Sequence, residues 1–178
     1  MLTGNDSFIT GDTIALYEGA GCTGSAVGTN SSPGTGTSAT ITRATAQSEG
    51  TTEYSIRATD AAGNFSCSSA TISYTLDATV PVVAVSSPSA GATFLTASQT
   101  YSGTCEAGLT VSITYGANIT GAATTTCTSG TFSVNVTISG QNGTRDVTFA
   151  QTDVAGNTGT ITRQVNWSGM PTFCPENY

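Results

Sequence analysis

Asp60-Ala61-Ala62-Gly63-Asn64 returns as Asp153-Val154-Ala155-Gly156-Asn157, 93 residues further on (from 60 to 153). A phrase that recurs at such a period marks a duplicated module and constrains the fold more than any local motif does. The context recurs with it. Alternating runs precede both copies, Tyr54-Ser55-Ile56-Arg57-Ala58-Thr59 and Val147-Thr148-Phe149-Ala150-Gln151-Thr152. Alternating runs also follow, Ala70-Thr71-Ile72-Ser73-Tyr74-Thr75-Leu76 and Arg163-Gln164-Val165-Asn166-Trp167. Strand, tight turn, strand is a β-hairpin, and one closes each copy.

The period divides the 178 residues into a first unit at 1–77, a second at 78–167 and a tail at 168–178. Units of that length are ordinary domains. Only 8% of residues are charged, and the formal net charge is −7. Histidine and lysine are absent, so the four cations are Arg43, Arg57, Arg145 and Arg163. An acidic chain without a basic face does not suit nucleic acid, whose phosphates need one. Ser, Thr, Gly and Ala dominate, yet few charges and steady β-branched alternation favour folded strands over disorder. No apolar run approaches the length of a membrane span. The opening Met1-Leu2-Thr3-Gly4 has neither the basic region nor the apolar core of a signal peptide, so any signal lies upstream or has been removed.

The five cysteines are Cys22, Cys67, Cys105, Cys127 and Cys174. None forms a CxxC pair and no histidine could share a metal, which disfavours zinc. Two fall in each repeat, and the expected bridges are Cys22–Cys67 and Cys105–Cys127. Each closes a loop worth roughly 3–4 kcal/mol in the chain-entropy model. Such bridges point to an oxidising compartment, extracellular or at the cell surface; reduced, buried thiols are the alternative. Cys174 is left unpaired in the tail; its expected partner lies in a further domain of the same polypeptide, with another chain as the alternative.

In the second repeat, residues 82–85 open the unit after a linker that ends in Pro81, and strands are expected near 99–105, 109–115, 121–127, 131–138, 145–152 and 159–167. Leu109, Val111, Ile113 and Tyr115 share one face, as do Phe132, Val134, Val136 and Ile138. Short strands separated by Gly-containing turns describe an antiparallel sandwich. In the first repeat, strands are expected at 2–9, 13–18, 24–29, 37–44, 52–60 and 67–76, with residues 28–38 a mobile loop. Counting back one period, the first strand of that copy is missing. The missing strand belongs to a longer array, or the unit is natively short, or a neighbouring chain supplies the strand by exchange, as in a filament.

With these elements in place, the chain resembles the bacterial Ig-like repeats of large surface proteins and adhesins. The carrying residues of copy one are Gly11-Asp12-Thr13-Ile14-Ala15-Leu16-Tyr17, Cys22, Ala58-Thr59-Asp60-Ala61-Ala62-Gly63-Asn64 and Leu76-Asp77-Ala78-Thr79-Val80-Pro81. Those of copy two are Gly103-Thr104-Cys105-Glu106-Ala107-Gly108, Thr126-Cys127 and Gln151-Thr152-Asp153-Val154-Ala155-Gly156-Asn157. The resemblance implies an all-β chain of two tandem immunoglobulin-like antiparallel β-sandwich domains on a cell surface or in the medium. It implies a stalk or extension segment, or else an adhesive module that binds a glycan or protein on a host or prey surface.

The repeated phrase has a local explanation. Gly63 and Gly156 can take positive φ, while Asp and Asn cap turns through the backbone. The functional alternative is calcium, held at domain junctions by Asp60, Asn64, Asp77, Asp153 and Asn157. Hard cations want six or more oxygens, and no DxDxDG run gathers them. Apart from calcium, no cofactor is expected. Catalysis lacks its usual base, since no His or Lys is available to activate a Ser or Thr. Glu49, Glu53 and Glu106 read as solvated charges beside turns. Tyr17, Tyr115 and Phe65 are candidate contacts for a glycan or protein, with no convergent cluster around them.

Overall fold

The structure, a computed structural model, describes residues 9–169. The chain divides into two compact units, Met1–Asp77 and Ala78–Tyr178. The expected strand at 2–9 and the tail cysteine Cys174 lie outside the described residues, apart from Ile9, which is not in a strand.

Unit 2 is the sandwich. Its strands are β6 (Ala84–Ser87), β7 (Thr93–Phe94), β8 (Ser98–Thr104), β9 (Thr110–Tyr115), β10 (Ile119–Gly121), β11 (Thr124–Thr126), β12 (Thr131–Ile138), β13 (Gly143–Thr152) and β14 (Thr158–Trp167). One sheet runs β10-β12-β8-β6 and the other β11-β9-β13-β14-β7. Setting β6-β8-β12-β10 beside β9-β13-β14 gives the A-B-E-D and C-F-G sheets of an immunoglobulin-like sandwich. All pairings are antiparallel except β14 with β7.

Alternation drives the packing. Along β12, Phe132, Val134, Val136 and Ile138 are buried while their neighbours are exposed. Facing them, β9 and β13 bury Val111, Ile113, Val147 and Phe149. Phe149 lies at the centre, its ring centroid 5.1 Å from that of Phe132 and 5.8 Å from that of Tyr101. Each such side chain stabilises by about 1.5–3 kcal/mol on burial. Gly103 is required by close approach, because a Cβ there would run into the Ala84 carbonyl of β6 and the Phe132 ring. One end of the core is closed by Trp167 and Arg145, both 8% exposed. Trp167 Nε1 donates to the Gly140 carbonyl (2.9 Å), and Arg145 Nη2 donates to Ser139 (3.0 Å) and Gln141 (2.5 Å). The buried guanidinium thus satisfies the carbonyls of the loop that covers it.

Unit 1 has β1 (Thr13–Glu18), β2 (Gly28–Asn30), β3 (Gly50–Thr59), β4 (Phe65–Cys67) and β5 (Ile72–Leu76). They form a single sheet, β2-β1-β3-β4, with β5 also on β3. β3 falls one period before β13, with the same bounds, so unit 1 keeps the counterpart of the larger sheet. Among the described residues, no strand matches the four-stranded sheet of unit 2. The expected strand at 37–44 is not formed; its trace is an isolated bridge between Gly28 and Arg43. One period later stands β12, which pairs with β8. A strand needs a neighbour along its length to satisfy its backbone, and among the described residues β2 pairs with this segment only at that bridge.

Two other expected strands are broken. Residues 121–127 divide between sheets as β10 and β11, which pair with β12 and β9. Residues 67–76 divide into β4 and β5. Arg57 pairs with Cys67 but Tyr54 with Ile72, so two residues are looped out against β3. A slip of two preserves the in–out parity of the strand, which is why alternation survives the break. The segment read as a mobile loop begins with β2.

Over β3 the irregular segment is held by polar contacts. Arg43 Nη2 meets Glu18 Oε1 at 2.6 Å, and Nη1 donates to the Tyr54 hydroxyl at 2.6 Å. That hydroxyl donates to Gln47 Oε1, also at 2.6 Å. Such a network supplies registry where apolar packing is thin.

Candidate functional site

The repeated phrase forms the same turn in both units. In unit 1, Asp60 Oδ1 accepts from the Ala62 N–H (2.9 Å) and the Asn64 N–H (2.8 Å), and Oδ2 accepts from Asn64 Nδ2 (2.8 Å). In unit 2, Asp153 Oδ1 accepts from the Asn157 N–H and Oδ2 from Asn157 Nδ2, both at 2.9 Å. The backbone closes each turn: Asp60 N–H donates to the Asn64 carbonyl (2.9 Å) and Asp153 N–H to that of Asn157 (3.0 Å). Gly63 and Gly156 sit at φ 91° and 96°, with open space where a Cβ would stand. Conformation, not crowding, therefore requires glycine there.

Both carboxylates are held below the ordinary aspartate value of 3.8, first by the side-chain hydrogen bond from Asn64 or Asn157 and then by backbone N–H donors. A depressed folded pKa contributes stability that is present above the unfolded value and lost as pH falls through the folded one. The hairpins are therefore expected to loosen below about pH 4. Asp60→Asn with Asp153→Asn should weaken the turns at neutral pH and flatten this acid dependence. Melting curves between pH 2 and 7 check this, and an unchanged acid limb in the double variant would refute it.

The five candidate cation ligands are not gathered within either unit. In unit 1, Asp60 follows the Thr59 end of β3, whereas Asp77 follows Leu76, which pairs with Gly50 at the other end. The length of β3 separates them, about 30 Å at 3.3 Å per residue. Among the described residues, no three His, Cys, Asp or Glu side chains cluster as a metal site would need. Beside the unit 2 turn lies an open hollow of about 380 Å³, lined by Leu109, Thr110, Ser112, Thr152, Asp153 and Val154. Its one carboxylate, Asp153, is already engaged by Asn157.

Cys22 is bonded to Cys67, with Cα atoms 6.0 Å apart, and Cys105 to Cys127, with Cα atoms 5.9 Å apart. Cys22 takes φ 52°, and its N–H donates to the Oγ of buried Ser55 (3.1 Å). The second bridge is buried, with Cys105 8% and Cys127 2% exposed. Cys105 follows β8 and Cys127 follows β11, so this bridge differs from the B–F bridge of antibody domains.

The aromatic candidates separate. Tyr17 is buried at 3% exposure beneath the Arg57 guanidinium, 5.2 Å from its ring, and is therefore a packing residue. Phe65 stays 68% exposed on the other side of that guanidinium, at 5.3 Å. Tyr115 is half-buried; its hydroxyl donates to the Ala122 carbonyl (2.7 Å), and burial raises its pKa. Glu53 lies within β3 rather than beside a turn, and accepts from Thr71 Oγ1 (3.4 Å). Sequence reading missed Gln151. Its side chain, 1% exposed, accepts from the Glu106 N–H and donates to the Glu106 carbonyl, both at 2.8 Å. A polar residue in phase with Val147 and Phe149 was the available signal.

No family model and no curated protein matches this chain. Among solved structures, it is similar to the fibronectin(III)-like modules of CbhA from Clostridium thermocellum, at 10% identity and TM-score 0.47, over 88% of this chain and 78% of that one. It is also similar to a beta-glycosidase from Bacteroides vulgatus, at 11% identity and TM-score 0.34, over 86% of this chain and 21% of that one. At these values neither likeness bears on what this chain does.

Proposed function

We propose that this chain is a non-catalytic structural segment of a bacterial cell-surface or secreted adhesin-like fibre protein, an extension that spaces further domains of the same polypeptide from the cell. The observation that carries this is how the repeated turn uses its polar groups: both aspartates spend their carboxylates on the turn itself. The two disulfides suit an oxidising exterior. Calcium has no role in this reading, and melting curves in EGTA and in calcium should superimpose.

The rival of a different class is an adhesive module for a surface glycan or protein. A glycan array and whole-cell pull-down separate the two. No saturable glycan or cell binding is expected from the isolated chain, and saturable binding would overturn the spacer reading. The filament reading, in which strand exchange completes unit 1, is favoured by one observation: Ile72 and Tyr74 of β5 are 42% and 54% exposed.

A further inference from the structure

Two side chains carry polar atoms into the unit 2 sandwich without a protein partner for them. Tyr101 of β8 is 0% exposed and packs against Phe149. Among the described residues, nothing bonds its hydroxyl. Arg163 of β14 lies opposite Val147, itself 0% exposed, so it shares the inward face of the other sheet. Its Nη2 donates to the Val85 carbonyl (2.6 Å), yet its Nε is closed off from solvent and unpartnered. Protein interiors pair nearly all such groups, either with protein or with ordered water.

Both atoms belong to one side of the sandwich. Val85 of β6, which holds the guanidinium, lies opposite Gly103 of β8. Gly103 stands two residues along the same face from Tyr101. Burial pushes the Tyr101 hydroxyl up to about 12, the Arg163 charge acts against that rise, and Asp146 adds to it. Arg163 and the hydroxyl are therefore near enough to interact, yet they make no direct hydrogen bond.

We propose that an ordered water molecule bridges Arg163 Nε and the Tyr101 hydroxyl beside the Val85 carbonyl, tying β14 of one sheet to β8 and β6 of the other. The donor set selects water. Nε–H only donates, a hydroxyl donates or accepts, and the Val85 carbonyl keeps a second lone pair beyond the one that Arg163 uses. Water accepts from the first, meets the second either way and donates to the third, which gives it the three or so partners typical of buried water. A small anion only accepts, and the Asp146 charge that reaches the Tyr101 hydroxyl repels it. The bridge is a polar tie between sheets that otherwise meet through apolar side chains, and it does not depend on the spacer role.

The test is the sign of a melting shift in the whole chain, followed by Trp167 fluorescence. Tyr101→Phe keeps the ring and removes the hydroxyl. If water bridges it to Arg163, the variant loses a hydrogen bond and should melt about 4–8 °C lower. A hydroxyl buried without a partner is instead a cost, so a melting temperature that rises or stays put overturns the proposal. Arg163→Met keeps the stem and removes the guanidinium. Because both substitutions break the same bridge, the double variant should lose less than the two single losses together, and additive losses overturn the proposal. The wild-type melting temperature should be the same in chloride and in acetate. A chloride dependence that Tyr101→Phe abolishes makes the occupant an anion and also overturns it. A crystal structure gives a readout that needs no variant: a water oxygen within hydrogen-bond distance of Arg163 Nε and the Tyr101 hydroxyl is expected, and direct contact between those two atoms overturns the bridge.

Discussion

Replacing Cys22 and Cys67 with serine is expected to unfold unit 1 while unit 2 stays native. The bridge spans a sequence separation of 45, which in the chain-entropy model is worth about 4 kcal/mol. Few other features of unit 1 offer that much. Its buried apolar side chains among the described residues are Ile14, Ala15 and Tyr17, and the continuous hydrophobic cluster lies wholly in unit 2. A small core of this kind depends on a covalent staple. The arginines provide the readout, since Arg43 and Arg57 lie in unit 1 and Arg145 and Arg163 in unit 2. Trypsin should cut the variant at the first pair and spare the second, while fluorescence of Trp167, the one tryptophan, stays native. Continued protection of Arg43 and Arg57 would show that the sheet holds without its staple. In force extension, the same variant should lengthen the unfolding step of unit 1 by about 150 Å, from 45 residues at up to 3.6 Å each.

Phe149→Ala is expected to destabilise unit 2 by about 3–5 kcal/mol. Phe149 is 0% exposed and meets the Phe132 and Tyr101 rings of the opposite sheet. It stands on β13, between β9 and β14, where the surroundings cannot collapse into the space it leaves. The melt of unit 2, followed by Trp167 fluorescence, should shift down. Ile56→Ala, one period earlier in unit 1, should cost less, because Ile56 is only half-buried. Equal costs at the two positions would mean that the sheet of unit 1 is covered as completely as that of unit 2.

Comparing the two units separates what pattern conveys from what it does not. The hairpins were legible because pairing, turn and alternation all lie within a few residues. The Asp and Asn of each turn act on each other across the Gly, so the turn chemistry can be read without knowing the rest of the fold. The cysteine pairs were legible for a similar reason, two to a repeat. The break between β4 and β5 was not, because a slip of two residues leaves every side chain on its face. Residues 37–44 alternate like β12 but form no strand, since a strand is decided by its neighbour. Gln151 stands in phase with Val147 and Phe149, but its partner, the Glu106 backbone, is 45 residues away in sequence and only the fold brings it to the amide.

By itself, then, the sequence determined the all-β class, the division at 77/78, the two closing turns and the two bridges. Each depends on local spacing or on covalent pairing. Only the tertiary structure decided that unit 2 completes its sandwich and that unit 1 shows a single described sheet with β5 half-exposed. It also decided that the Gln151 amide meets the Glu106 backbone. Strand partnership and burial are non-local: they depend on which backbone edge and which side chains the rest of the chain brings alongside, and no window of sequence carries that information.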